Sequence, residues 1–191
     1  MIALLGPRLT HSDYALDTVR SFRDMPRRYC RSITSACRAV RYRKARYGIV
    51  PISNSYTGEI METAKAMKMG SFSILKKIHF RVHHALVGVR PAGSASRRAG
   101  LDCVRVIFSH QQALLQCKDF LKKHCGAARL VPVSSTARAM FLVAKSGRTD
   151  YAAIGAPAAA PAMKLNILAN YIENKSKNGT TFLLIENVRH F

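Results

Sequence analysis

Acidic side chains are scarce in this chain. Ten Asp and Glu stand against 31 Lys and Arg, a formal net charge of +21. A field of that sign attracts polyanions and small anionic substrates alike, so it bears on partners and not on fold. No two cysteines sit at CxxC spacing, and the five (Cys30, Cys37, Cys103, Cys117 and Cys125) are odd in number. That points away from a zinc site or a disulfide framework and toward free thiols in a reducing compartment. Long apolar runs are also missing. The longest weakly polar stretch, "YAAIGAPAAAPAM", is too short to cross a bilayer and contains two prolines. "MIALLG" lacks the basic start of a secretory signal. A soluble, cytoplasmic protein without membrane contact is the expectation; an organelle such as the mitochondrion stays open if a leader has been removed. There is no tandem repeat, low-complexity tail, zinc finger or RNP signature.

What is present suffices for a packed fold. The chain has 191 residues, 48% of them hydrophobic, enough for one domain or two small lobes. The cations cluster in "RSFRDMPRRYCRSITSACRAVRYRKAR", Arg20 to Arg46, where Asp24 is the one acid and Tyr29 and Tyr42 are interleaved. This reads as a solvated basic surface on helix and loop, or as a contact to RNA or a ribonucleoprotein. Short β-like runs alternate with longer helical ones. Strands are expected at Ile2–Leu5, Tyr47–Pro51, Phe72–Val82, Ala85–Val89, Val104–Phe108, Leu130–Val133, Tyr151–Ile154 and Phe182–Ile185. The alternation predicts an α/β fold with mainly parallel strands. "SHQQALLQCKDFLKKHCG" predicts one continuous helix, with Ala113, Leu114, Cys117, Phe120 and Leu121 on its apolar face. Ser109 and Gln112 would form its capping box and Gly126 its C-terminal cap. Cys117 then reads as packing, not as a nucleophile. Residues 88–100 read as a surface loop.

Four segments share a pattern: "IALLGPRLTHSDYA", "GIVPISNSYTGEIM", "VIFSHQQALLQC" and "RLVPVSSTARAM". In each, a strand runs into Ser, Thr or Asn and then a helix. Helix N-termini offer unpaired N–H groups and the positive end of the macrodipole, and open α/β sheets bind ligands at this edge. Any one junction is accounted for by ordinary helix capping. Four together suggest a donor-rich site for a carboxylate or phosphate, and name no reaction.

Read in order, these junctions resemble prephenate dehydratase over nearly the whole chain. "GPRLTHS" keeps Gly6, Pro7, Thr10 and Ser12 of a Gly-Pro-x-Gly-Thr-Phe-Ser motif. "VPISNS", "VHHALVG", "FSHQQALLQCKDFL", "VSSTARAM" and "AAIGAPAAA" are similar to five further family segments. "ILANYIENKSKNGTTFLLI" stands where the family has Asn-x-Thr-Arg-Phe. The resemblance implies an α/β, two-lobed fold like the type II periplasmic binding proteins, with a cleft between lobes. Lobe one would comprise residues 1–80 and 170–191, and lobe two residues 81–169. It implies conversion of prephenate to phenylpyruvate, with loss of carbon dioxide and the ring hydroxyl, in phenylalanine biosynthesis, using no metal or organic cofactor. Carried over by position, Thr180 is the donor to the leaving hydroxyl. Ser12, Asn54, Ser55, Ser135 and Thr136 are pocket donors, joined by Ser109 and Gln112, and Phe182 is an apolar wall. His83 and His84 are assigned to packing at the strand crossing.

The chain departs from the pattern at four positions. Leu9 replaces a turn glycine, His11 an aromatic, Ser53 a glutamate, and Thr181 the arginine of Thr-Arg-Phe. Loss of a desolvated arginine–carboxylate pair costs about 2–5 kcal/mol where the partner stays buried; Arg8 and Arg138 are the cations that could substitute. Two alternatives therefore stand beside the dehydratase: a prephenate decarboxylase that keeps the ring hydroxyl, and an inactive, basic ribonucleoprotein component. The partners to be expected are the dianion prephenate, a second copy in a homodimer, and RNA at Arg20–Arg46. No segment for a phenylalanine-sensing regulatory domain is expected.

Overall fold

The computed structural model describes residues 1–90, 101–175 and 177–188. Of the loop read over 88–100, residues 91–100 lie outside the described residues. The chain forms two compact units, Met1–Val82 with Lys177–Phe191, and His83–Ser176. Each is an α/β unit built on its own sheet.

In the first unit β1 (Ile2–Leu5), β2 (Arg27–Cys30) and β3 (Tyr47–Asn54) pair in parallel, β1 in the middle. A two-residue β4 (Gly58–Glu59) folds back on β3. β5 (Phe72–Arg81) forms the far edge of the sheet. Helix α1 (His11–Asp17) covers one face; α2 (Ile33–Arg41) and α3 (Met61–Met67) cover the other. Burial on both faces is why "IALL" and "GIVP" are continuous apolar runs and do not alternate. Ile2, Leu4, Leu16 and Ile49 pack together on the α1 face. Ala3, Val50, Cys37 and Val40 do so on the other.

In the second unit β6 (Ala85–Gly88) is followed by β7 (Val106–Ser109), α4 (Gln111–Gln116), α5 (Lys118–His124) and β8 (Arg129–Pro132). Then come α6 (Thr136–Ser146), β9 (Tyr151–Gly155) and β10 (Asn166–Ala169), in sheet order β10-β6-β9-β7-β8. Helix α6 lies directly on β9: a Cβ at Gly155 would overlap the Met140 sulfur, so the close approach needs glycine there. Segment 170–175 is held in this unit, because Ile172 N–H donates to the His84 carbonyl and Asn174 N–H to that of Gln116. The chain returns to the first unit in β11 (Gly179–Asn187), which lies between β3 and β5 and runs antiparallel to both.

Several expectations need correction. The sheets are mixed, not mainly parallel: β11 brings two antiparallel ladders into the first, and β6 pairs antiparallel with both β9 and β10 in the second. These antiparallel ladders join strands far apart in the sequence, which periodicity within one strand does not reveal. The long helix is two short ones broken at Cys117. There Asn174 takes the Gln116 carbonyl with its N–H and the Asp119 N–H with its Oδ1, replacing bonds a continuous helix would make. Ser109 is the last residue of β7, not a cap. His110 Nδ1 accepts from Gln112 N–H in its place. Gly126 is not a left-handed cap: α5 ends at Cys125 (φ −138°), whereas Gly147 (φ 64°) caps α6 in that way. Ser53–Thr57 lead into the β3–β4 hairpin, so that junction is no helix N-terminus. Finally, β2 and β10 were hidden in sequence, β2 by its two arginines.

Candidate functional site

Thr180 sits near the start of β11 with Asn54 of β3 on one side and Phe80 of β5 on the other. The Asn54 side chain is held at both ends. Its Oδ1 accepts from Tyr56 N–H at 2.9 Å, the turn that starts the β3–β4 hairpin, and its Nδ2 donates to Thr180 Oγ1 at 2.9 Å. The Thr180 oxygen therefore acts as acceptor toward Asn54, and its own hydrogen remains to be donated. Ser55 closes the end of the same ladder. Its N–H donates to the Gly179 carbonyl, its Oγ accepts from Gly179 N–H at 3.0 Å, and its hydroxyl donates to Asn178 Oδ1. Asn178 is buried, and its carbonyl accepts from Val82 N–H.

Strand alternation sorts the neighbours. Thr180, Phe182 and Leu184 share the α1 face. Phe182 is only 2% exposed and packs with Leu16, Ile49 and Ile78, forming a rigid apolar backing one turn of the pleat from Thr180. Phe80 meets the His11 ring edge-to-face at 6.3 Å, which places the first turn of α1, including buried Ser12, on this side. Thr181 leaves the opposite face, where its hydroxyl lies 3.0 Å from His79 Nδ1. The Thr181 side chain thus projects away from the Thr180 face.

The turn between β1 and α1 has its own support. Leu9 is in the left-handed region (φ 67°), and its N–H donates to Asp13 Oδ2 at 2.5 Å. Asp13, 2% exposed, also takes Arg27 Nη1 at 2.7 Å and the Tyr29 hydroxyl at 3.0 Å. Arg27 pairs with Asp17 as well. The Tyr14 hydroxyl beside them is pushed up to about 12 by burial and by Asp13 and Asp17. Arg8, Asp13, Tyr14, Asp17, Arg27 and Tyr29 line an open recess of about 530 Å³. Neither Thr180 nor Asn54 lines it, so recess and constellation are separate features.

In the second unit Ser135 caps α6, its Oγ accepting from Arg138 N–H at 3.0 Å, with Thr136 in the first helical position. Arg138 is exposed over the Phe141 ring. Ser109 is fully buried and donates to the Ile154 carbonyl, so it is a ladder group and not a pocket donor. His84 is 2% exposed and bonds Gln116 Oε1 at 2.7 Å. Glu173, its side chain 4% exposed, accepts from His84 N–H and from His83 Nδ1 at 2.8 Å. The histidines do serve the crossing segments. Cys117 is fully buried, its thiol driven up by burial. Among the described residues no group of three or more His, Cys, Asp or Glu could hold a metal ion, and no helix is long and apolar enough to cross a membrane.

A family model described as prephenate dehydratase matches the chain over residues 2–190. The chain belongs to the prephenate dehydratase family. It is 30% identical over 185 residues to a bifunctional chorismate mutase/prephenate dehydratase of Neisseria gonorrhoeae, covering 96% of this chain and 49% of that protein. With the prephenate dehydratase of Methanocaldococcus jannaschii it shares 33% over 139 residues, 72% of this chain and 47% of the other. A crystal structure of prephenate dehydratase from Arthrobacter aurescens in complex with L-Phe superposes with a TM-score of 0.86 at 29% identity, covering 100% of this chain and 60% of that one. The chain spans about half the length of the curated relatives it matches. Sequence reasoning about this family member missed Asp13, Arg27, His79 and Asn178. The signal for Asp13 was a lone acid directly after the Thr-x-Ser motif; His79 carried none.

Proposed function

We propose that this chain is a prephenate dehydratase catalytic module, converting prephenate to phenylpyruvate as a carbon–oxygen lyase of aromatic amino acid biosynthesis. The observation that carries the reading is the Asn54–Thr180 hydrogen bond inside two family segments. In this reaction the bond to the ring carboxylate breaks and its electrons enter the ring. The ring C–O bond breaks with them, and the oxygen departs as hydroxide, which becomes water by taking one proton from solvent. A donor at that oxygen stabilises charge that develops only as the bond breaks. Thr180 is the donor: Asn54 holds the oxygen lone pair and turns the O–H outward. Ser12, Asn54, Ser135 and Thr136 are the proposed donors to the two carboxylates, and Phe182 the apolar wall behind the ring. Ser55, whose N–H and O–H are both engaged by Gly179 and Asn178, has the positioning task of fixing where Thr180 begins.

The test is incubation with prephenate and an assay for phenylpyruvate against a sample without protein. Product above that background, lost in Thr180→Ala, supports the reading. Prephenate consumed with the ring hydroxyl retained would assign a decarboxylase in its place. Unchanged prephenate would reject both lyases.

A further inference from the structure

We infer that the C-terminal turn of α2 is a docking site for single-stranded RNA. This surface is separate from the Thr180 constellation, and the inference does not depend on the lyase reading. Arg38, Arg41, Tyr42, Arg43, Lys44 and Arg46 are all exposed, within nine residues. No acidic side chain pairs with any of them among the described residues; the ion pairs of this unit are Arg27 with Asp13 and Asp17. Tyr42 is 61% exposed, and the Arg41 guanidinium stands 5.4 Å from the centre of its ring. An aromatic face beside guanidinium groups stacks bases while the cations follow the phosphates.

The backbone adds an independent observation. Arg43 is in the left-handed region (φ 57°), directly after the Tyr42 cap, where glycine is the unstrained choice. The turn is nonetheless well held. Tyr42 N–H donates to the Arg38 carbonyl, Arg43 N–H to that of Val40, and Ala45 N–H to that of Ala39. The strained position holds a long cation, and its neighbours Tyr42 and Lys44 face solvent with it. A bilayer is the poorer partner: the apolar residues of α2 (Ile33, Ala36, Cys37, Ala39 and Val40) are buried in the unit's core, so the helix presents no apolar face to insert, only the Tyr42 ring at its end.

The experiment measures anisotropy of a labelled oligouridine at physiological salt. The triple variant Arg41→Gln, Arg43→Gln, Arg46→Gln is compared with Lys118→Gln, Lys122→Gln, Lys123→Gln on α5, which removes the same charge from another exposed surface. The α2 triple is expected to bind about tenfold more weakly than the α5 triple, with a log–log salt slope shallower by about 2. Tyr42→Ala is expected to weaken oligouridine and leave heparin, a polyanion without bases, unchanged. Arg43→Gly should hold or raise the melting temperature while losing RNA affinity, separating strain from function. Equal losses in the two triples would overturn the site. Indifference of RNA to Tyr42→Ala, preference for anionic vesicles over RNA, or absence of binding at physiological salt would also overturn it.

Discussion

Asn54 and Thr180 lie 126 positions apart in the chain and share one side-chain hydrogen bond of 2.9 Å across the β3–β11 ladder. The amide is oriented by its own turn before it meets the hydroxyl, so the fold already occupies the acceptor side of Thr180 Oγ1 and leaves its hydrogen to donate elsewhere. Preorganisation of this kind lowers the cost of arranging a donor during the reaction.

The first prediction concerns this pair. If Thr180 is the proposed donor to the departing oxygen, Thr180→Ala should lower kcat by about 10²–10³ with KM nearly unchanged. Thr180→Ser keeps the hydroxyl and should retain most turnover. Asn54→Ala should cost about tenfold by freeing the hydroxyl to rotate. Kinetics on the double variant should show that the two losses do not add.

Leu9 offers a second test. At φ 67° a β-carbon is strained, so Leu9→Gly should be more stable than Leu9→Ala by about 1 kcal/mol in urea unfolding. The reverse order would mean that the turn is not strained at this position.

Asp13→Asn should be the most destabilising single change near that turn. It leaves Arg27 without its buried partner and weakens the bond that holds Leu9 N–H. Arg27 is 19% exposed and keeps Asp17, so the loss should be about 2–3 kcal/mol, below the range for a fully buried pair. The midpoint of urea unfolding measures it.

Acid should destabilise the second unit in two steps. Burial lowers the His84 pKa, and the hydrogen bond to Gln116 with the charge of Glu173 only partly opposes this. The unfolded chain therefore takes up a proton near the ordinary value of about 6.5 that the folded chain resists. Stability is complete above that value and is lost as pH falls below it. Burial pushes Glu173 up, but donation from His84 N–H and His83 outweighs it, and the carboxyl ends below its ordinary range. Its contribution is complete above about 4.3 and disappears as pH falls through the lower folded value. Unfolding midpoints against pH should show both steps, His84→Gln removing the upper and Glu173→Gln the lower.

Thiol chemistry provides the last check. Cys103 is exposed, whereas Cys30, Cys37, Cys117 and Cys125 are buried. Burial, with Glu62 and Cys30 nearby, pushes Cys37 up to about 11, and burial also drives Cys117 and Cys125 up. The native protein should consume one equivalent of a thiol reagent quickly and the other four only on unfolding. Rapid reaction of a second thiol would contradict the packing around α2 or α4.

Local signals carried much of this molecule. The strands at Ile2–Leu5, Tyr47–Pro51 and Tyr151–Ile154 were legible because burial on both faces makes each a short apolar run bounded by turn residues. The family motifs, read in order, identified Thr180 and Asn54 as site candidates. Other features depend on partners far away in the chain. Asn174 breaks the helix at Cys117, and β11 makes the first sheet mixed by returning to it after the whole second unit. Ser109 looks like a cap in sequence and proves a ladder group, because the Ile154 carbonyl is the acceptor it reaches.

By itself the sequence determined the α/β class, the family, the basic surface and the hydroxyl-rich segments, since each depends on composition, short-range period or motif order. Tertiary structure alone decided which way those hydroxyls face. Thr180 and Thr181 are chemically alike and adjacent, and the pleat sends one to Asn54 and the other to His79. A side chain's direction is set by the strand on either side of it, and strands far apart in sequence become neighbours only in the folded chain.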